Sequence, residues 1–141
     1  MIKIIKFKFQ DKKLVEQAFS IRNKVFVIEQ NCPPELEYEN EDKCTHFLLM
    51  KNNKAIATSR YRSTNLGMKL ERFAVLKKHR KNGYGNEILK FMLKDLKEYK
   101  GKIYMHAQID VIKFYEKMGF VKTGRIFEEA FIQHYKMILK K

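Results

Sequence analysis

The stretch from Lys69 to Gln108 constrains the fold more than any other part of this sequence. Residues 69–76 read as a strand. Tyr84, Ile88, Leu89, Met92, Leu93, Leu96 and Tyr99 then form one apolar stripe at helical spacing, with Lys90, Lys94 and Lys97 on the opposite side. Gly101 is the expected stop of this helix, predicted over 83–100, and Ile103–Gln108 reads as the next strand. A strand, a crossover helix and a second strand in one sheet make a βαβ unit, whose two strands are parallel and whose connection is right-handed. Loops at the carboxyl ends of parallel strands are where such sheets bind ligands, so the loop 77–85 and the end of strand 103–108 are expected to face one site.

The rest of the chain supplies antiparallel material around that unit. Ile2, Ile4, Phe7 and Phe9 suggest a first strand. With Asp11 as N-cap, apolar residues at helical spacing predict a helix over about 12 to 27, interrupted near Ser20 and ended before Pro33-Pro34. The acidic run from Glu35 to Asp42 reads first as a solvated loop. Residues 46–51 and 55–62 around Asn52-Asn53 read as a hairpin, and a turn at 65–67 leads into strand 69–76. Asp110 is expected to cap a short helix carrying Val111, Ile112, Phe114, Tyr115 and Met118, with Gly119 at its end. Two last strands cover 120–127 and 131–139. With no linker or repeat, residues 1–141 are expected to form a single α/β domain with a mixed sheet.

Charge and cysteine usage narrow the function. The net charge is +14, and the excess is lysine, with 24 Lys against 6 Arg. Arginine is the better reader of phosphates and base edges, so a dispersed lysine surplus indicates a solvated surface more than a nucleic-acid site. A basic binding module for nucleic acid stands as the rival from another class, lacking the interleaved aromatics and Arg clusters of such modules. No uncharged run is long enough to span a membrane, and MIKIIKFKF alternates apolar residues with Lys where a signal peptide would be continuous, so a cytoplasmic protein is expected. Cys32 and Cys44 read as free thiols, and the scattered histidines give no metal-ligand spacing.

The loop before the long helix carries the chemistry. It reads Lys77-Lys78-His79-Arg80-Lys81-Asn82-Gly83-Tyr84-Gly85. Two glycines one residue apart let backbone N–H groups approach a phosphate, and the helix N-terminus behind them adds its dipole. The third glycine of a dinucleotide fold and the Gly-Lys-Ser/Thr of a P-loop are both absent. Either this is an anion-holding strand–loop–helix, or the glycines merely start a helix.

Arg80-x-x-Gly83-x-Gly85 after Glu71-Arg72-Phe73-Ala74-Val75, followed by Val111-Ile112-Lys113-Phe114-Tyr115-Glu116-Lys117-Met118-Gly119-Phe120, resembles the two signature motifs of the GNAT superfamily of N-acetyltransferases. The flanks are similar to its small bacterial ElaA-like branch: Arg22-x-x-Val25-Phe26-Val27-x-Glu29-Gln30, then Pro34, Glu37 and Asp42, and later Glu129-Ala130 and His134. The resemblance implies the GNAT acyl-CoA N-acyltransferase fold, with about six to seven strands, about three to four helices and a splayed parallel pair holding acetyl-CoA as cosubstrate. It implies that the backbone of Phe73, Ala74 and Val75 pairs with the pantetheine arm and that the pyrophosphate lies over Arg80, Lys81, Asn82, Gly83, Tyr84 and Gly85. Gln108, where many relatives carry Asn, and Phe114 join them as implied cofactor contacts. Val111 stands where relatives carry Ala.

The implied reaction is transfer of an acetyl group to a primary amine of a small molecule or peptide, with another acyl donor as the alternative within the fold. Backbone N–H groups near the end of strand 69–76 are expected to hold the thioester carbonyl oxygen. Tyr115 is the candidate proton donor to the departing thiolate; by periodicity alone it is a core aromatic. Glu71 is a candidate base acting through water, or else a surface partner of Arg72 or a neighbouring lysine. His106 is a second candidate base, or a hydrogen-bonded core histidine. Glu29, Glu37, His106 and His134 are candidates for the acceptor pocket, where the acidic loop would attract a cationic amine; Glu29-Gln30 could equally close the first helix onto the prolines. Neither cysteine lies in the motifs, so direct transfer is expected, with no metal. No membrane partner or sequence-specific nucleic acid is expected, and a homodimer is left open.

Overall fold

The computed structural model describes residues 1–33 and 38–140. They form a mixed seven-stranded sheet flanked by three α-helices. In chain order, β1 (Ile2–Phe7) and α1 (Lys12–Arg22) lead through a π-helical segment, Asn23–Glu29, to a 3₁₀ turn at Glu41–Lys43. Then come β2 (Thr45–Lys51), β3 (Lys54–Thr64) and β4 (Gly67–Val75), followed by α2 (Tyr84–Asp95) and β5 (Ile103–Gln108). A short α3 (Ile112–Lys117) and the hairpin β6 (Phe120–Glu129) and β7 (Ile132–Leu139) complete the chain. The sheet order is β1-β2-β3-β4-β5-β7-β6. Only β4 and β5 run parallel, as the βαβ reading requires.

Helices cover the two faces unequally. On one face, α2 and α3 pack over Phe47, Leu49, Ile56, Leu70 and Met105, with Ile88, Leu89 and Met92 of α2 fully buried. On the other, α1 and the π segment bury Val15, Ala18, Ile21, Val25 and Phe26 against Phe7 and Leu48. This second layer is built on β1–β4, and the β5-β7-β6 part of that face carries polar side chains instead.

Several local expectations are corrected. The first helix runs through Ser20 to Arg22, and its change of form falls three residues beyond Ser20, at Asn23. Its last turns widen to π spacing, Gln30 N–H donating to the Val25 carbonyl, and the chain leaves the helix at Asn31 with φ +59°. Helix α2 stops at Asp95, short of residue 100, although the apolar stripe continues. The Asp95 carboxylate is held by the Tyr61 hydroxyl (2.6 Å) and Lys6 (2.9 Å), and a following turn, with Tyr99 N–H on the Leu96 carbonyl, still packs Leu96 and Tyr99 on the core. Gly101 is needed there because a Cβ would stand 2.5 Å from the Tyr99 hydroxyl. Asp110 does not cap α3; it lies inside a 3₁₀ turn, Ile109–Val111, that precedes the helix. Strand β1 ends at Phe7, and Asp11 caps α1 as expected, its carboxylate accepting from Leu14 N–H. Both cysteines are buried free thiols, and burial raises the Cys44 thiol to about 11, which rules it out as a nucleophile at neutral pH. Among the described residues no helix is long and apolar enough to cross a membrane, and no cluster of side chains is placed to hold a metal ion.

Candidate active site

The parallel pair is joined over only three residues, Met68 to Leu70 against Ile103 to Met105. Beyond that point β4 follows β3 up to Val75, β5 follows β7 up to Gln108, and the two strands part. A bulge sits at the point of separation. Thr58 opposes Ala74 while Arg60 opposes Glu71, so β4 carries one extra residue, with Arg72 in the left-handed region at φ +59°. The extra residue reverses the alternation of side chains. Leu70 lies in the core under α2, Glu71 on the α1 side; after the bulge Phe73 and Val75 pack toward α2 and α3, and Ala74 toward α1. The gap between the strands opens into a cleft of about 910 Å³ that reaches both faces of the sheet.

On the α2–α3 face the cleft runs from a strand edge into the glycine-rich loop. Its wall includes Phe73, Ala74 and Val75, whose strand edge is no longer paired with β5, together with Arg80, Lys81, Gly83, Tyr84 and Gly85 of the loop. Lys81 and Gly83 both adopt positive φ, +67° and +80°, which turns the chain into α2 and leaves its first-turn amides without a capping side chain. At Gly85 a Cβ would touch Phe114 (3.8 Å) and Val75 (4.0 Å). Any longer side chain there enters the cleft. Asn82 does not line it; its amide donates to the His79 and Arg80 carbonyls and so shapes the loop. Arg80 reaches the cleft wall, but its guanidinium is committed: Nε donates to the Val75 carbonyl (2.9 Å) and both Nη groups to Glu29 (2.7 Å each). That clasp ties the π segment to the loop, and its hydrogen bonds and charge hold the Glu29 carboxyl below its usual range. Glu29 is therefore a partner of Arg80 and not a lining residue of the acceptor pocket.

Tyr115, from α3, closes the donor side. It is buried, with its ring edge-on to Phe73 (5.8 Å), Phe114 (5.0 Å) and Phe120 (6.1 Å), and it lines the cleft. Its hydroxyl has no hydrogen-bond partner among the described residues, and burial alone pushes its pKa above that of a free phenol. The group thus stays protonated at any physiological pH while its donor is unspent.

The opposite face corrects the reading of Glu71. This carboxylate is neither a surface group nor a free base. Burial favours its neutral form, but Arg60, Lys69 and Arg72 and a hydrogen bond from Arg62 override that and bring it to about 2. A carboxylate so stabilised takes a proton poorly. It belongs to a chain of ion pairs running inward: Arg62 Nε at 2.7 Å and Lys69 at 3.3 Å, then Arg60 at 2.9 Å, Arg60 to Glu41 at 2.8 Å, and Glu41 to Arg22 at 2.6 Å. Arg60 Nη1 and Nη2 are in ionic contact but out of line for hydrogen bonds, whereas Arg22 and Glu41 make a bidentate pair. Glu41, from the acidic run, is thus a buried structural ion and not a wet surface charge. Glu37 lies outside the described residues.

His106, on β5, lines the cleft, with Nδ1 3.1 Å from Glu129 Oε2 and its ring edge-on to Phe127 (4.9 Å). It is half-buried, not a core histidine. His134 lies beside it on β7; burial lowers its pKa, and its Nδ1 is 2.7 Å from the Ile132 carbonyl, which makes it a neutral wall of the pocket. Gln108 is in the cleft but engaged, exchanging amide hydrogen bonds with Gln30 (3.1 and 3.5 Å) across the opening. Sequence reasoning missed Gln30, Arg60, Arg62, Lys69 and Glu41 as parts of the site. The signal was there in Arg60-x-Arg62 and Lys69-x-Glu71, since charges two apart in adjoining strands share one face.

Residues 10–141 match the family model for the acetyltransferase (GNAT) domain. The chain belongs to the GNAT acetyltransferase family. It is 33% identical over 132 residues to the uncharacterized N-acetyltransferase YjcF of Bacillus subtilis, covering 92% of this chain and 94% of that one. Among solved structures it is similar to Escherichia coli ElaA, with a TM-score of 0.87, 23% identity, and 98% and 99% of the two chains covered. The catalytic domain of a Tetrahymena histone acetyltransferase in complex with coenzyme A shares the fold, with a TM-score of 0.73, 14% identity, and 96% and 92% coverage. The expected GNAT architecture, with seven strands and a splayed parallel pair, is thereby established.

Proposed function

We propose that this GNAT domain transfers the acetyl group of acetyl-CoA directly to a primary amine, with Tyr115 as the proton donor. The observation that carries the reading is the Tyr115 hydroxyl, on a buried ring but without a protein partner among the described residues, at the wall of a cleft that opens where β4 leaves β5. The cleft suits the donor: a free strand edge at Phe73–Val75 offers backbone groups to an extended amide-bearing arm, and the Gly83–Gly85 turn with the α2 N-terminus offers amides to a pyrophosphate.

The thioester supplies an activated acyl carbon, and the chain's own groups do the rest. Backbone N–H groups beside the Arg72 bulge hold the carbonyl oxygen as negative charge develops on it. His106, oriented by Glu129, receives the proton that the amine sheds, directly or through water. As the new C–N bond forms and the C–S bond breaks, Tyr115 donates its proton to the leaving sulfur. The buried Cys44 thiol is unsuited to an acyl-enzyme route, which supports direct transfer.

Thiol release from acetyl-CoA, measured against a panel of primary amines with longer acyl-CoAs alongside, tests the reading. Amine-dependent release with acetyl-CoA as the best donor is expected; binding of CoA with no release for any donor and any amine would overturn it.

A further inference from the structure

The placement of charges on the acceptor face bears on what the acceptor is, given the transfer reaction proposed above. Among the described residues, Arg60, Arg62 and Lys69 surround Glu71, and Glu41 lies between Arg60 and Arg22; both carboxylates are held ionised by the cations around them. His46, packed against Glu41, is kept toward its neutral form by burial. Around the rim, Arg72 faces Glu39 at 3.9 Å, and Glu129 adds one negative charge beside His106. The face therefore has a positive pole and, across the cleft, a negative one.

The positive pole is turned toward the cleft. Arg22 and Arg60 are almost wholly enclosed, whereas Arg62 and Lys69 line the opening. Arg62 spends only Nε, on Glu71, so its two terminal amino groups have no protein partner among the described residues. Lys69 stands 3.3 Å from Glu71, longer than a strong charge-assisted hydrogen bond. A partly desolvated guanidinium with a free fork is a receptor for a planar anion. The opposite pole lies close by. Lys69 is level with Tyr104 on β5, and His106 is two residues further along the same face, so their Cα atoms are about 8 Å apart by strand spacing. An anion on Arg62 and Lys69 and an amine at His106 and Glu129 thus fit on one small molecule.

The geometry points to an acceptor that carries an anionic group next to its primary amine, the anion seated on Arg62 and Lys69 and the amine on the His106–Glu129 pair. A free amino acid, with its carboxylate, is the simplest such molecule, and an amine bearing a phosphate shares the chemistry.

The test uses the whole chain with acetyl-CoA and matched pairs: amino acids against their amides, and phosphoethanolamine against ethanolamine. A preference of at least about tenfold in kcat/KM for the anionic member of a pair is expected, because a partly desolvated guanidinium with an open fork favours the analogue that supplies an anion. The pair showing it separates carboxylate from phosphate. Arg62→Gln and Lys69→Gln should bring the ratio toward one, and Arg62→Lys should restore part of it. Melting curves show which variants are folded; if Arg62→Gln is not, Lys69→Gln and Arg62→Lys decide. Equal rates within every pair, a ratio unchanged in the folded variants, or no turnover and no binding of any anionic member would overturn the inference. Ligand-observed NMR on the protein without acetyl-CoA reads acceptor binding by itself. Anionic members bound in preference to neutral ones, with no acetylation, would leave this inference standing and refute the transfer reaction instead.

Discussion

Replacing Tyr115 by Phe separates catalysis from packing, because the hydroxyl bears on the first and the ring on the second. The ring packs against Phe73, Phe114 and Phe120, and Phe keeps those contacts. The hydroxyl makes no hydrogen bond to another described residue, so its removal orphans nothing. The hydroxyl reaches the cleft, where solvent can satisfy it, so Tyr115→Phe should change stability by less than about 1 kcal/mol and hold the melting temperature within about 4 °C. Turnover should fall. A positioned general acid contributes at least about 10²-fold, equivalent to about 2.7 kcal/mol of barrier, so kcat should drop by that factor while CoA affinity by calorimetry stays within about twofold. Thiol release and melting should be measured on one preparation. Wild-type turnover in a folded Tyr115→Phe protein would refute the reasoning, since water or another group would then protonate the thiolate. A fall in melting temperature with a matching fall in CoA affinity would refute it too, and return Tyr115 to the role of a core aromatic.

The remaining predictions concern the loop, the ion network and the surface. Gly85→Glu places bulk and negative charge between Phe114 and Val75 at the proposed pyrophosphate site, and should weaken CoA binding by at least about 30-fold in calorimetry, equivalent to about 2 kcal/mol, with the fold retained; unchanged affinity would remove the loop from the mechanism. Glu71→Gln leaves Lys69 buried without its anion and Arg60 with Glu41 alone, and should cost about 3–5 kcal/mol, seen as a fall of about 10 °C or more in melting temperature; a normal melting curve would contradict the network. Because the Glu71 carboxyl titrates at about 2 when folded and near 4.5 otherwise, its stabilisation is fully present above about pH 4.5 and is lost as pH falls toward 2. Acid titration of stability should therefore be shallower in Glu71→Gln than in the wild type. Retention on nucleic acid, driven by the +14 charge, should vanish steeply with salt and show no preference between sequences; a salt-resistant, selective complex would revive a binding module.

The frame was legible because its signals are periodic. The α2 stripe, the strands at 69–76 and 103–108 and the glycine pair place the crossover unit and its loop, and each lies close to its expected position, α2 ending early at Asp95. What escaped the reading was aperiodic or non-local. A π turn uses the same residues as an α turn, so nothing in Asn23–Glu29 distinguishes it beforehand. The end of α2 depends on Tyr61 and Lys6, more than thirty residues away in sequence, gripping Asp95. Within the site, Tyr115 and the loop lie in motifs, but Glu71 was misread because its neighbours in sequence suggest a solvent face. Its surroundings come instead from β3, where Arg60 and Arg62 lie beside it, and from Glu41, which Arg22 and Arg60 together hold in the core.

The position of that network gives it a mechanical sense. A sheet that splits leaves two unpaired edges, which elsewhere invite aggregation or slippage. Here the last residue of β4 paired with β5 is Leu70, and the next, Glu71, is clamped by Arg60, Arg62 and Lys69. On the far side of the gap Gln108 is held by Gln30, whose helical segment is itself fastened to the loop through Glu29 and Arg80. Both lips of the opening are thus fixed by side-chain contacts where backbone hydrogen bonds cease. A cleft fixed this way can present free strand edges to a donor arm without closing on itself. The charges that brace the split then also face the acceptor, which is why the charge of the acceptor and the stability of the fold should respond to the same substitutions.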